Sequence, residues 1–196
     1  MIKATIILFV ISFNSLFCQE QIDSLYHFEL SITASPVISN FKNERYPGAA
    51  NETKFGYSTY IRGMWHPGRM LSFGIMSGYL LIGDDNITTN SQNNNLGNKA
   101  EARLAAIPLQ VAVSMQKNGI EIGIGMGPYM LISEIQYGTI AFGRRFELGL
   151  TFFGSFVFRI NEKFQIGPEL KILYLSYRGI FCVMPSIDLR LNLWSY

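Results

Sequence analysis

Histidine and cysteine are scarce in this 196-residue chain, at two residues each. That leaves too few ligands for a cysteine–histidine zinc cluster and too few thiols for a disulfide framework. Charge is scarce as well. Asp, Glu, Lys and Arg make up 15% of the residues, where roughly 25% is usual for a soluble domain. The net charge of +2 carries no cluster of Lys and Arg, which excludes a nucleic-acid-binding surface. After the N-terminal segment no uncharged apolar run approaches the roughly 20 residues of a membrane-spanning helix. What the chain does have is apolar and aromatic: 48% hydrophobic residues, with Phe 15, Tyr 10 and Gly 18. Disorder is excluded by that load, and the length suits one domain.

The N-terminus reads as a secretory signal peptide over residues 1–18. Met1–Ile2–Lys3 is a short basic start, Ala4 to Ile11 an apolar centre, and Ser12 to Cys18 a polar exit. Cleavage is expected after Cys18. A lipoprotein acylated on Cys18 is the alternative, disfavoured because bulky Phe17 stands where such signals want a small residue. The mature domain, residues 19–196, then keeps Cys182 as its single cysteine, expected to be a small half-buried side chain.

The mature sequence repeats a period of two in blocks of about ten residues, the mark of strands with two unlike faces. In the last block Phe181, Val183, Pro185, Ile187, Leu189, Leu191 and Leu193 fall on one face. Cys182, Met184, Ser186, Asp188, Arg190, Asn192 and Trp194 fall on the other. Blocks at 164–175, 146–160 and 120–132 repeat the pattern, and four more, near 26–35, 54–65, 70–82 and 102–115, do so less cleanly. The apolar faces carry no charge. Glu29, Arg62, Glu121, Glu147, Arg159, Glu169, Lys171, Asp188 and Arg190 all lie on the opposite face.

That partition separates two barrels. A soluble ligand-carrying barrel of the lipocalin type would turn its apolar face inward and need a densely charged exterior. Here the polar face is mostly Gly, Ser and Thr with a few balanced charges, which suits a narrow filled interior. Long aliphatic and aromatic rows suit lipid, where an Arg or Lys at mid-bilayer costs about 2–4 kcal/mol. The expected fold is therefore all-β: an eight-stranded antiparallel up-and-down transmembrane β-barrel preceded by a signal peptide.

Connection lengths point the same way. Segments near 36–53, 83–100 and 133–144 are long; His66–Pro67–Gly68, Lys117–Asn118–Gly119 and Asn161–Glu162–Lys163 are tight turns. Short periplasmic turns and longer external loops put both termini in the periplasm, and the Asn-rich stretch from Gly83 to Asn95 outside as a solvated loop. Trp65, Phe158, Phe164, Trp194 and Tyr196 fall where a periplasmic aromatic girdle belongs. Pro108, Pro128, Pro168 and Pro185 fall inside strands, which implies local bulges or misplaced strand boundaries.

Several of these elements resemble the PorT-like family of small outer-membrane β-barrel proteins. They are the signal exit Leu16–Phe17–Cys18–Gln19, the strand Ala106–Ile107–Pro108–Leu109–Gln110–Val111, the glycine strand from Gly123 to Tyr129, and the closing Leu189 to Trp194. The likeness is best from about 103 to 194. It implies residence in the outer membrane and, for one branch of the family, a link to protein secretion and gliding machinery.

Eight strands enclose a space only wide enough for side chains. Inward glycines at 56, 74, 78, 123, 125, 127, 149 and 167 leave room for Tyr60, Arg62 and Tyr129. The inward acids and bases are expected to form an ion-pair plug, with Glu29, Arg62 and Arg190 as neighbours near the closure between first and last strands. His27 and His66 fall on the periplasmic side, with no Ser or Asp expected beside them, which disfavours a His-dependent hydrolase. No phosphate loop or metal cluster is evident, and no cofactor is expected. The sequence thus reads as a non-enzymatic, monomeric outer-membrane barrel in contact with lipid, and with an envelope or secretion-machinery protein as a possible partner. A small pore and a soluble carrier are the alternatives.

Overall fold

The computed structural model describes residues 26–41, 53–67, 70–89, 98–137, 139–176 and 179–195. The expected signal peptide, Tyr196 and the Asn-rich positions 93–95 lie outside them. Nine β-segments follow in order: β1 His27–Phe41, β2 Thr53–His66, β3 Leu71–Thr89, β4 Asn98–Lys117, β5 Ile120–Tyr137, β6 Thr139–Phe156, β7 Phe158–Arg159, β8 Phe164–Leu175 and β9 Ile180–Ser195. Chain neighbours pair antiparallel, except that β6 and β7 both pair with β8, and β1 closes on β9. The short β7 continues the line of β6, because Ser155 opposite Glu169 and Phe158 opposite Ile166 keep one register. The break between them faces Pro168, which has no N–H to give to the rung. The result is a closed eight-stranded antiparallel barrel.

Its stagger can be followed residue by residue. Lateral neighbours from Glu29 run through Met64, Gly74, Ala112, Gly125, Thr151, Leu173 and Cys182 and return to β1 at Ser39, ten residues further along. Such a shear in eight strands goes with a tilt of about 40° and an interior that side chains fill. The same path shows why the two faces sort so cleanly, since every residue on it points inward.

One end of the barrel holds the tight turns and the His27–Ser195 pair, and is called here the turn end. Lys117 pairs with Ile120 across Asn118 and Gly119, both with positive φ (52° and 78°), the two-residue turn whose twist matches a hairpin. Asn161 Oδ1 accepts the N–H groups of Lys163 and Phe164 at 2.9 and 2.8 Å, closing the turn before β8.

The opposite end departs from expectation. Residues 83–89 and 98–100 are strand rather than loop, and the expected loop at 133–144 is a hairpin with Tyr137 paired to Thr139. β1 likewise runs on to Phe41, and 42–52 lie outside the described residues. Pairing of β2 to β3 stops at Tyr57–Leu81 and of β6 to β8 at Gly149–Leu175. Beyond those rungs β3, β4, β5 and β6 continue as a four-stranded sheet, by about 27 Å of strand on β3 and about 34 Å on β6, while β2 runs on four residues to Thr53 paired only with β1. Nor do the prolines make bulges. Register shifts fall instead at Phe28/Glu29 and Leu81/Gly83; Pro108, Pro128, Pro168 and Pro185 hold their register within the staves.

Candidate functional site

The outer wall carries Ile32, Ile61, Phe73, Ile75, Leu109, Val111, Ile122, Met126, Leu148, Phe152, Ile187 and Leu189, all exposed. Among the described residues no Asp, Glu, Lys or Arg interrupts this belt. Arg144 and Arg145 are exposed, but beyond it, on the projecting part of β6. Trp65, Phe158, Phe164 and Trp194 ring the turn end, where Phe28 stacks on Trp194 at 5.0 Å. A second ring that sequence reading had not singled out, Phe55, Tyr57 and Tyr174, lies at the other edge, with Tyr79 packed 6.1 Å from Tyr57. From Trp65 to Phe55 is about 33 Å of strand, which at a tilt of about 40° rises about 25 Å, the height of an apolar band between two aromatic girdles. The alternation had placed Trp194 on the inward face, its position at the strand end in the girdle, and it takes the girdle place. The shift at Phe28/Glu29 turns the end of β9, and the indole is exposed.

Inside, the lumen has two layers. Toward the projecting end Val37, Leu80, Ile82, Ala106, Leu131, Leu173, Leu175, Ile180, Cys182 and Met184 pack with Tyr60 and Tyr129 into an apolar plug. Cys182, expected half-buried, is fully buried there. Tyr129 Oη sits 2.6 Å from Thr151 Oγ1, which donates to Gln110 Oε1 at 3.1 Å, so the plug is pinned to β4, β5 and β6.

Toward the turn end lies the charged layer. Arg62 donates to Glu169 at 2.8 Å and to Glu121 and Asp188 at 3.3 Å each. Arg190 meets Glu121 and Asp188 at 2.6 Å and Glu29 at 3.3 Å. Lys171 binds Glu169 and donates to Thr33 Oγ1 at 2.6 Å. All seven side chains are essentially buried. Glu121 on β5 reaches cations on β2 and β9, so the network crosses the lumen rather than lining one wall. The Arg62 guanidinium also lies 4.3 Å from the Phe153 ring, a contact no charge pattern in the sequence announces.

Two of the nine expected interior charges stand apart. Arg159 belongs to the two-residue β7 at the rim, half-buried, where its Nε donates to the Asn161 carbonyl at 3.4 Å. The turn before β8 draws it out of the lumen. Glu147 is buried but lies at the other end, 3.9 Å from exposed Arg145.

The histidines also differ from expectation. His27 and His66 are register partners on β1 and β2, and their rings stack at 4.1 Å. Ser72 Oγ, unforeseen, lies 2.6 Å from His66 Nδ1. The serine is fully buried, so the pair is packed against the lumen wall and presents no open hydroxyl.

Comparison with known proteins places the architecture. No protein-family profile and no curated protein sequence matches the chain. Solved structures do. Neisserial surface protein A (NspA) is similar at a TM-score of 0.54 and 10% identity, over 85% of this chain and 97% of that one. A major outer membrane protein from Thermus thermophilus gives 0.56 at 9% identity, over 85% and 99%. Ail, the attachment invasion locus protein of Yersinia pestis, gives 0.53 at 11%, over 84% and 99%. The fold is that of the small outer-membrane barrels. Within that fold the barrel described here has a lumen closed by an apolar plug above and a buried ion network below.

Proposed function

We propose that the chain is an integral outer-membrane barrel that works without catalysis, holding its projecting β3–β6 sheet out as a contact surface for an envelope or extracellular partner. One observation carries the membrane reading: a belt of exposed aliphatic and aromatic side chains free of charge, around a lumen where the charges are buried and paired. Such a wall in water would be a large exposed apolar patch, far beyond what soluble monomers tolerate. The likeness to small outer-membrane barrels supports the same reading, and the tight turns favour periplasmic termini. The PorT-like resemblance and a tie to secretion machinery belong to this proposal, resting on the strand motifs of residues 106–111, 123–129 and 189–194.

A barrel whose lumen is packed is a scaffold, and what it scaffolds is the part that stands above the belt. Expression of the full chain in a Gram-negative cell and fractionation test the reading. Folded protein is expected in the outer-membrane fraction, with protease added to intact cells cutting the β3–β6 sheet and leaving the staves whole. Recovery of mature protein in the soluble periplasm would contradict it.

A further inference from the structure

The chain has two histidines, and the fold brings both to one point. His27 and His66 face each other across β1 and β2 at the turn end, and Glu29, two residues along β1, points into the same corner of the lumen. One potential ligand atom from each of the three lies within 4.8 Å of the others. His66 and Glu29 are 3% and 1% exposed. Yet His66 Nε2, His27 Nδ1 and both Glu29 carboxylate oxygens are buried without a hydrogen-bond partner. Buried polar atoms are nearly always satisfied, so three atoms without any polar partner, beside a Glu29 Oε1 held only by Arg190 at 3.3 Å, point to a missing partner at this corner.

The charge balance agrees. The network holds four carboxylates, Glu29, Glu121, Glu169 and Asp188, against three cations, Arg62, Lys171 and Arg190. Glu29 has the weakest hold of the four, a single 3.3 Å contact with Arg190. The surplus negative charge therefore lies beside the histidines. A proton or a cation there would neutralise it.

We propose that His27, Glu29 and His66 bind a divalent transition ion of the zinc, nickel and copper group at the turn end of the barrel. Two imidazoles and one carboxylate are a donor set for these ions, and they disfavour calcium or magnesium, which take oxygen ligands. Ser72 supplies the outer support. When His66 gives its Nδ1–H to Ser72 Oγ, the lone pair of Nε2 faces the corner, the tautomer a ligand needs. The stacked rings are parallel to within 5°, and parallel rings cannot aim two lone pairs at one ion. Binding must turn His27 out of the stack, which its half-buried place as the first residue of β1 allows. The fourth position would be left to water.

The test uses the mature chain folded in lipid nanodiscs and stripped with chelator. Zn2+ is titrated by calorimetry, and Co2+ by visible absorption and tryptophan fluorescence. One equivalent per chain is expected, with Co2+ quenching emission from Trp65 and Trp194, which sit at the same end. His27→Gln and His66→Gln should each weaken Zn2+ at least tenfold, and Ser72→Ala about 10–100-fold as an outer-shell change. Absence of saturable one-to-one binding by the unmodified chain would overturn the proposal and leave a proton as the partner of Glu29. So would unchanged affinity in folded His27→Gln and His66→Gln. The quenching arm needs no variant, and stoichiometric Co2+ binding without it would place the ion elsewhere and equally defeat the site.

Discussion

Arg62 shows how much one side chain can hold. Its guanidinium touches carboxylates from β5, β8 and β9 and the face of Phe153 on β6, with water excluded. Removing one partner of a buried ion set leaves the others charged and uncompensated, a loss of about 3–5 kcal/mol. Arg62→Ala is expected to destabilise the barrel by that amount in urea unfolding in micelles, followed by tryptophan fluorescence. Arg62→Lys should recover only part, since an ammonium lacks the planar fork that reaches several carboxylates at once. Equal stability of Arg62→Ala and the unmodified chain would mean the network does not hold the staves. The sequence placed Arg62, Glu29 and Arg190 near one another through the closure of first on last strand. It could not show Glu121 joining them from across the lumen, because that contact depends on the shear, and shear is set by pairings between strands far apart in the chain.

Strands were legible in proportion to how unlike their two surroundings are. Where one face meets the apolar belt and the other the packed lumen, the period of two stands out, and the alternation of β8 and β9 reads directly off the residues. On β6 above the belt both faces meet water, residues 141–146 all being exposed, the contrast fades, and that stretch looked like a loop. Proline was misleading for a related reason. A ring of staves keeps register through neighbouring rungs, so one lost donor opens a gap, as at Pro168, without forcing a bulge.

The boundary of the belt is itself measurable. Ile187 lies midway along β9 and is 62% exposed, while Phe142 is 67% exposed on the projecting part of β6. An arginine should cost about 2–4 kcal/mol at the first and about 0–1 at the second. Ile187→Arg and Phe142→Arg, compared by unfolding from lipid vesicles, should differ in that order. Equal costs would place the bilayer elsewhere on the wall.

At the scale of the whole molecule, the barrel is a wall, a plug and a raised sheet. The apolar plug and the ion network close the lumen in series; an ion-pair plug was expected from the inward charges, whereas the apolar layer above it was not, because inward residues from eight strands meet only after closure. A steady, large conductance in planar bilayers is therefore not expected, and observing one would mean that the plug moves aside. The central claim is that the charge-free face meets lipid. The most direct measurement puts a single tryptophan at Ile187, by Ile187→Trp with Trp65→Phe and Trp194→Phe, and folds the chain into vesicles carrying brominated acyl chains. Strong quenching by bromine deep in the chains is the expected result, and an emission that the brominated lipid leaves unchanged would contradict the account.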